Sequence, residues 1–151
     1  MTATRVGALV FGADAVVAEF VRRRIKGAED GFGPCTAIGV IRQERLIGGV
    51  VYHNYQSHYK SIQVSFAFDS PLWATPTVLR AVCRYPFDQL GVVRVTSLAA
   101  KKNKRSRRMT ESIGFKLEGV ARKGFGDDDC CIYGLLRHEC RWLKDKKNGQ
   151  A

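Results

Sequence analysis

The stretch Asn103-Lys-Arg-Ser-Arg-Arg-Met-Thr-Glu-Ser-Ile-Gly-Phe115 begins with polar residues and ends with apolar ones at helical spacing. On a helical wheel of about 100° per residue, its side chains fall into a buried side and a border. The buried side takes Ser106, Met109 and Ile113, and the border takes Asn103, Arg107 and Thr110. An amide, a guanidinium and two hydroxyls beside an apolar wall suit a polar ligand that carries phosphates. Taken alone, the pattern is a weak signal, because a basic helix is usually only a solvated one.

Strands are predicted on both sides of this helix, and a second helix upstream of it. The predicted strands are Val92–Leu98, Phe115–Arg122 and Cys131–Arg137. Upstream, Thr75 before Pro76 is an N-cap followed by a proline at the first helical position, which predicts a helix start. Pro86 must kink this helix or end it early. The segment 124–129 between the last two strands is interpreted as a hairpin tip, because it lacks the ligand spacing of a calcium loop.

The first half of the chain changes from strands to a helix and back. The predicted strands are Val6–Phe11, Ala37–Arg42, Leu46–Tyr55 and Ser61–Asp69, with a helix at Asp14–Ile25 and a terminal helix at His138–Lys147. Strands with helices interleaved predict an α/β fold on one sheet, mostly antiparallel at its start. A chain of 151 residues fits one domain, 1–151.

The amino-acid composition is typical of a globular protein. Hydrophobic residues make up 45% and charged residues 26%, as in ordinary globular proteins. The longest apolar stretch contains Asp14 and Glu19, so we predict neither a membrane span nor a signal peptide. The five cysteines show no metal-ligand spacing, and we expect reduced thiols, no metal and a cytoplasmic protein, with a disulfide framework or zinc site as the alternative.

The net charge of +11 is concentrated in clusters. Six of the eight residues from Lys101 to Arg108 are basic, and Arg22–Arg24 form a second run. Such clusters attract polyanions, so a phosphate-rich cofactor and a nucleic acid are both candidate partners. A solvated face that keeps the protein soluble is the alternative.

Three motifs in this order resemble the C-terminal signature of the GNAT N-acetyltransferases. They are Asn103-x-x-Ser106, Glu111-x-x-Gly114-Phe115 and Glu118-Gly119-x-x-Arg122. Upstream, Tyr85-Pro86-Phe87-x-x-Leu90-Gly91-Val92-x-Arg94-Val95 resembles the end of the cofactor helix and the following strand. The similarity runs from about Ile38 to Leu143 and is greatest to the branch that acts on ribosomal-protein N-termini and its phage-encoded relatives.

The resemblance implies a mixed sheet of six to seven strands, splayed at a cleft that holds acetyl-CoA. It implies that Asn103 bonds the pantetheine, with Ser106, Arg107 and Thr110 near the cofactor. It also implies that the pyrophosphate lies on the turn after Asp69. The residues of that turn are Trp73, Ala74, Thr75, Thr77 and Val78.

Two positions depart from the family pattern. The glycine-rich phosphate loop is replaced by Pro71-Leu-Trp-Ala-Thr-Pro-Thr77, in which Pro76 removes one backbone donor. Thr110 stands where many relatives have a tyrosine that protonates the thiolate, so Ser106 or a water would take that role, or the step would run without it.

The resemblance implies direct attack of a neutral amine on the thioester, with the oxyanion held by a backbone N–H of the central strand. Asp69 at its strand end is the first candidate base and His53 the second. Each is also consistent with a structural role, and Tyr133 is interpreted as a packed aromatic. The acceptor amine is not identified.

A second hypothesis is a degenerate module of the same shape that binds nucleic acid or protein without catalysis. A third keeps the enzyme and places the acceptor amine on DNA or RNA. A homodimer is also left open.

Overall fold

The computed structural model describes residues 3–144, and its centre is a sheet of eight strands. The strands are β1 (Thr4–Val6), β2 (Leu9–Phe11), β3 (Cys35–Arg42), β4 (Arg45–Gln56), β5 (Ser61–Phe68), β6 (Arg94–Ala100), β7 (Lys116–Ala121) and β8 (Cys130–Leu136). Their order across the sheet is β1-β2-β3-β4-β5-β6-β8-β7. Neighbouring strands are antiparallel except β5 and β6, which run parallel.

Three α-helices cover the two faces of this sheet. They are α1 (Asp14–Arg22), α2 (Pro76–Arg84) and α3 (Lys104–Ile113). The apolar side of α1 packs on one face, where Val17 and Val21 meet Val51. Both α2 and α3 bury residues in the larger core on the opposite face. The sheet therefore has an α1 face and an α2/α3 face.

Glycines on the α1 face let the helix approach the sheet closely. A Cβ atom added at Gly49 would lie 2.8 Å from a Val17 methyl carbon, and one at Gly39 would lie 2.9 Å from another. On the other face, the buried Tyr52 hydroxyl donates a 2.6 Å hydrogen bond to the Val82 carbonyl of α2. These contacts fix both helices against the central strands.

The predicted fold class is confirmed, with three corrections to the elements. The run Val6–Phe11 is not one strand, because Gly7 at φ +59° turns the chain and makes a two-stranded hairpin. The sheet therefore has eight strands rather than six to seven. Helix α1 ends at Arg22 instead of Ile25. The predicted terminal helix is replaced by single 3₁₀ turns at 137–139 and 141–143, and its residues 145–147 lie outside the described part.

Two further observations concern the thiols and the lengths of the helices. All five cysteines are free thiols, and four of them are buried. Within residues 3–144, every helix is too short or too polar to cross a bilayer.

Candidate active site

The sheet divides between its two parallel strands. Pairing of β5 with β6 runs from Ser61 opposite Arg94 to Val64 opposite Ser97 and then stops. Beyond that point β5 stays paired with β4, and β6 stays paired with β8. The facing edges of 65–68 and 98–100 therefore have backbone groups without a ladder partner across the gap.

A cavity of about 500 Å³ fills this gap, and a smaller one of about 220 Å³ continues it at the end of β5. Together they form what we call the cleft. Its walls include Ser65 and Phe66 of β5, Ser97 and Leu98 of β6, and Asn103 and Ser106 at the start of α3. The predicted splay and two of the predicted side chains thus meet at one place.

The start of α3 faces the cleft with a positive end. The Asn103 side-chain oxygen accepts a 3.1 Å hydrogen bond from the Ser106 N–H, so Asn103 is the N-cap. The first turn contains no acidic residue and carries Lys104 and Arg105. The Arg105 guanidinium lies 4.2 Å from the centre of the Phe68 ring, which brings α3 against the end of β5. Helix dipole and cations together make this a place for an anion.

Arg107 and Thr110 lie outside the lining of the cleft. Arg107 donates a 3.0 Å hydrogen bond to the Tyr133 hydroxyl and another of 3.2 Å to the Lys101 carbonyl. Tyr133 in turn donates to Glu111 over 2.7 Å, and burial raises the pKa of its hydroxyl. Thr110 is fully buried and donates to the Ser106 carbonyl over 2.8 Å. Both of these α3 side chains therefore donate hydrogen bonds to other groups of the protein.

The segment 69–75, which we call the Trp73 turn, is closed by an aromatic side chain. Trp73 is fully buried and stacks near Phe66 and Phe68, with ring centres 5.6 and 5.8 Å away. Gly48 makes room for it, because a Cβ atom there would lie 2.9 Å from the Trp73 Cβ. Among the described residues, the buried Trp73 Nε1 has no hydrogen-bond partner.

The other residues predicted for the phosphate site begin α2 but do not line the cleft. Thr75 is the N-cap, and its hydroxyl accepts a 3.3 Å hydrogen bond from the Val78 N–H. Val78 is buried in the core and Ala74 is half-buried. Thr77 is exposed and lines a separate groove beside Arg80. The sequence places these five residues together, but the structure turns their side chains to three different surroundings.

His53 is connected to the cleft through one hydroxyl. Its Nε2 lies 2.9 Å from the Ser65 Oγ, and Ser65 lines the cleft. The Phe32 ring packs against the imidazole at 4.8 Å between centres. Burial lowers the pKa of His53, which keeps the ring neutral near pH 7. In the tautomer whose Nε2 carries no proton, the neutral imidazole accepts the Ser65 O–H, which is the arrangement of a base acting through a hydroxyl.

Asp69 lines the smaller part of the cleft but is bound to a cation. Arg24 donates to both of its carboxylate oxygens, over 2.7 and 3.0 Å. This hydrogen bonding to Arg24 lowers the pKa of Asp69. A carboxylate stabilised in this way is a weaker base than an unpaired one.

Several residues of the cleft lie in segments where no local pattern indicated a site. Ser97 is buried in the wall, and Phe125 and Asp128 reach the cleft from the β7–β8 hairpin. Asp128 accepts hydrogen bonds from the Lys102 and Asp129 N–H groups, over 3.1 and 2.7 Å. Within residues 3–144, no three potential metal ligands come together.

Comparisons with known proteins identify the family and the fold. The model of the GNAT acetyltransferase domain matches residues 11–116. A protein of Bacillus subtilis strain 168, named as a candidate ribosomal N-acetyltransferase, YdaF, is 29% identical over 116 residues. That alignment covers 72% of this chain but only 62% of the relative, less than two thirds of its length.

Solved structures show the same fold. A candidate acetyltransferase from T. thermophilus superposes with a TM-score of 0.67 at 19% identity, covering 92% of this chain and 91% of the other. The dodecameric spermidine N-acetyltransferase of Vibrio cholerae gives 0.61 at 18% identity, covering 76% and 71%. With a family model that matches more than half of its length, the chain belongs to the GNAT family of acetyltransferases.

Proposed function

We propose that this chain transfers an acetyl group from acetyl-CoA to the N-terminal amine of a peptide, by direct attack of the amine. The observation that carries the proposal is the gap between β5 and β6, lined by unpaired backbone edges and by Asn103 and Ser106. GNAT domains use acetyl-CoA as co-substrate, and this gap suits a narrow chain with amide groups. The name of the B. subtilis relative supports a peptide N-terminus as acceptor.

The residues of the cleft fit the cofactor in two parts. The unpaired edges of 65–68 and 98–100 would bond the amides of the pantetheine, as a third strand would. The side-chain nitrogen of Asn103 and the hydroxyl of Ser106 lie on the same wall. We assign the phosphates to the basic first turn of α3, around Arg105, which lies against Phe68 at the end of β5.

We assign the base to His53 acting through Ser65, ahead of Asp69. When bound, acetyl-CoA supplies an acyl carbon activated as a thioester. The amine nitrogen bonds to this carbon, the carbon–sulfur bond breaks, and the amine proton passes to Ser65 while the Ser65 proton passes to His53. Asp69 is less suited, because Arg24 holds both of its oxygens and lowers its pKa.

The departing thiolate takes a proton from water, either directly or through the Ser106 hydroxyl, which gives its proton to the thiolate as it takes one from water. Ser106 lines the cleft, whereas the Thr110 hydroxyl donates to the Ser106 carbonyl and is buried. A backbone N–H on the unpaired edge of β5 would stabilise the negative charge that develops on the acyl oxygen. Removing one such donor typically costs about 100-fold or more in rate, so backbone geometry here matters as much as the side chains.

Binding and transfer test the proposal in one experiment. At about 100 times its dissociation constant, acetyl-CoA should stabilise the chain by about 2.7 kcal/mol, which raises the melting temperature by several degrees. Thiol release with a panel of peptides should show turnover. The absence of both a thermal shift and turnover would contradict the proposal.

The variant His53→Gln separates binding from chemistry. It should keep the acetyl-CoA thermal shift but lose about 100-fold in kcat, because a general base contributes at least that much. In the unsubstituted protein, His53 acts as a base only when it is deprotonated, and burial lowers its pKa. The kcat/KM of that protein should therefore fall only below pH 6.5, the ordinary pKa of histidine. Ser65→Ala should give a similar loss, and an unchanged kcat in both variants would exclude this path.

The buried Trp73 favours a second candidate function, a binding module without catalysis. In the Trp73 turn the indole is buried, and the N–H groups of Leu72, Trp73 and Ala74 donate within the turn, which leaves few backbone donors for a phosphate there. Such a module would use the basic clusters at Arg22–Arg24 and Lys101–Arg108 to bind a nucleic acid or a protein. A random duplex should then bind with an affinity that falls steeply with salt, while acetyl-CoA gives no thermal shift.

A further inference from the structure

A second groove, distinct from the cleft, follows α2 where this helix faces β2 and β3. Its volume is about 420 Å³, which falls within the usual range of small-molecule sites. Among the described residues, none lines both this groove and the cleft. One side is formed by α2 and its C-cap, through residues at helical spacing: Thr77, Arg80, Ala81, Arg84 and Tyr85. These positions extend over about 12 Å at about 1.5 Å per residue, and we call the space between them and the sheet the α2 groove.

The floor of the α2 groove is apolar. Leu9 and Ile38 of the sheet are buried in the larger core, and the half-buried Phe11 packs against it. The Tyr85 ring is fixed at the end of α2 by the Tyr52 ring, with 4.8 Å between the ring centres. Such a floor favours the apolar part of a ligand, because contact with it removes apolar surface from water.

The α2 side of the groove presents two cations without a counter-ion. Arg80 and Arg84 lie one helical turn apart, and no carboxylate is among the described residues that line the groove. The segment Pro76–Arg84 has no acidic residue of its own. Within residues 3–144, neither guanidinium takes part in an ion pair. Arg80 is also half-buried, and partial removal from water strengthens its attraction for an anion.

The acidic residues that lie nearest to this lining along the chain are engaged by other groups. The Asp14 carboxylate accepts a 2.9 Å hydrogen bond from the Ala37 N–H. The Asp88 carboxylate accepts a 2.8 Å hydrogen bond from the Arg137 guanidinium. The positive charge on the α2 side is therefore available to a ligand.

The two arginines and the apolar floor together select one kind of molecule. Like charges four positions apart on a helix repel each other, and an anion bound between them removes this repulsion. A guanidinium binds a carboxylate or a phosphate through two parallel hydrogen bonds, which fixes the direction of the anion. The hydroxyl of Thr77, on the same edge of α2, is a further donor. A molecule with an apolar body and an anionic head matches both sides of the groove.

We propose that the α2 groove is a second ligand site, which binds a small amphipathic anion. The apolar body lies on the floor, and a carboxylate or phosphate head binds Arg80 and Arg84. Acetyl transfer does not require this site, because the groove and the cleft have no lining residue in common.

Octanoate and octyl phosphate test the site, one for each kind of anionic head. Each is titrated into the full chain while the backbone amide resonances are followed by NMR. We expect saturable shifts at residues 9–12 and 77–89 with at least one of the two probes. Acetate lacks the apolar body and octylammonium carries the opposite charge, so both should bind there at least about tenfold more weakly.

Two variants test the two sides of the groove separately. Arg80→Gln with Arg84→Gln should raise the dissociation constant about tenfold or more, because it removes the charged donors. Ala81→Leu fills the space between the two arginines, keeps both of them, and should also weaken binding. The matched control, Arg42→Gln with Arg108→Gln, removes the same charge from exposed positions outside the groove and should keep the affinity. Melting temperatures of all three show whether they fold.

The outcomes distinguish a built site from general attraction. Binding of one head and not the other supports the site and identifies its anion. Failure of both probes to shift residues 9–12 and 77–89, or equal binding of octylammonium, overturns it. An equal loss of affinity in the control double, or no loss in the Arg80 and Arg84 double, overturns it as well. The acetyl-CoA thermal shift should be unchanged in every variant, so these results leave the proposed function to its own test.

Discussion

Two turns at the same end of the sheet connect a parallel strand to a helix, and they differ in what they do with their side chains. The Trp73 turn after β5 buries an indole between two phenylalanines. The turn after β6 instead leaves Asn103 in the cleft and places cations in the first helical turn. Two helix starts with the same dipole can therefore serve different roles, one as part of the core and the other as a wall for a ligand.

The largest expected effect comes from removing the indole of the Trp73 turn. Trp73→Ala should lower the free energy of unfolding by about 3–5 kcal/mol, because the side chain is fully buried. Its neighbour Leu72 is 56% exposed, so Leu72→Ala should change stability by no more than about 0.5 kcal/mol. Denaturant unfolding of the two variants measures the difference. A small loss for Trp73→Ala would mean that the turn opens readily and can serve the cofactor.

The turn after β6 should contribute more to the affinity for acetyl-CoA than the Trp73 turn. Arg105→Ala should raise the dissociation constant for acetyl-CoA about fivefold, because it removes a cation at the helix start that also stacks on Phe68. Arg108→Ala removes an exposed cation of the same helix and should leave the affinity within about twofold. Thr77→Ala should also have little effect. Calorimetric titration measures all three, and a larger effect at Thr77 would reverse the comparison.

The sequence predicted which side chains of the turn after β6 line the cleft, but it did not predict the burial of Trp73. The difference has a physical reason. Asn103 and Ser106 are four positions or fewer from the groups that fix them, so helix spacing and the N-cap rule suffice. Burial of Trp73 depends instead on Phe66, Phe68 and the space left at Gly48. The wheel placed Arg107 on the border of the buried side and the family resemblance put it near the cofactor, but its guanidinium donates to the hydroxyl of Tyr133, 26 positions away.

The same limit applies to the remaining residues of the cleft. His53 and Ser65 lie on adjacent strands and meet only because the register of β4 and β5 brings them together. Asp128 acts from a hairpin tip that could be recognised as a turn, but its burial against the Lys102 loop depends on long-range packing. Local patterns therefore locate the elements and the cap, whereas convergence across strands needs the folded chain.

The smallest expected effect concerns Asp69, where the Trp73 turn begins. Its pKa is lowered by Arg24 from the ordinary value of 3.8, so the ion pair contributes stability above that pH and loses it as the pH falls through the lowered value. The Asp69 side chain is half exposed, so Asp69→Asn should cost less than about 1 kcal/mol at pH 7. Unfolding at pH 7 and pH 3 should show this cost shrinking on acidification, with Asp30→Asn at an exposed position as the control variant. Because the pair is structural, Asp69→Asn should also retain kcat, and a loss of about 100-fold would return the role of base from His53 to Asp69.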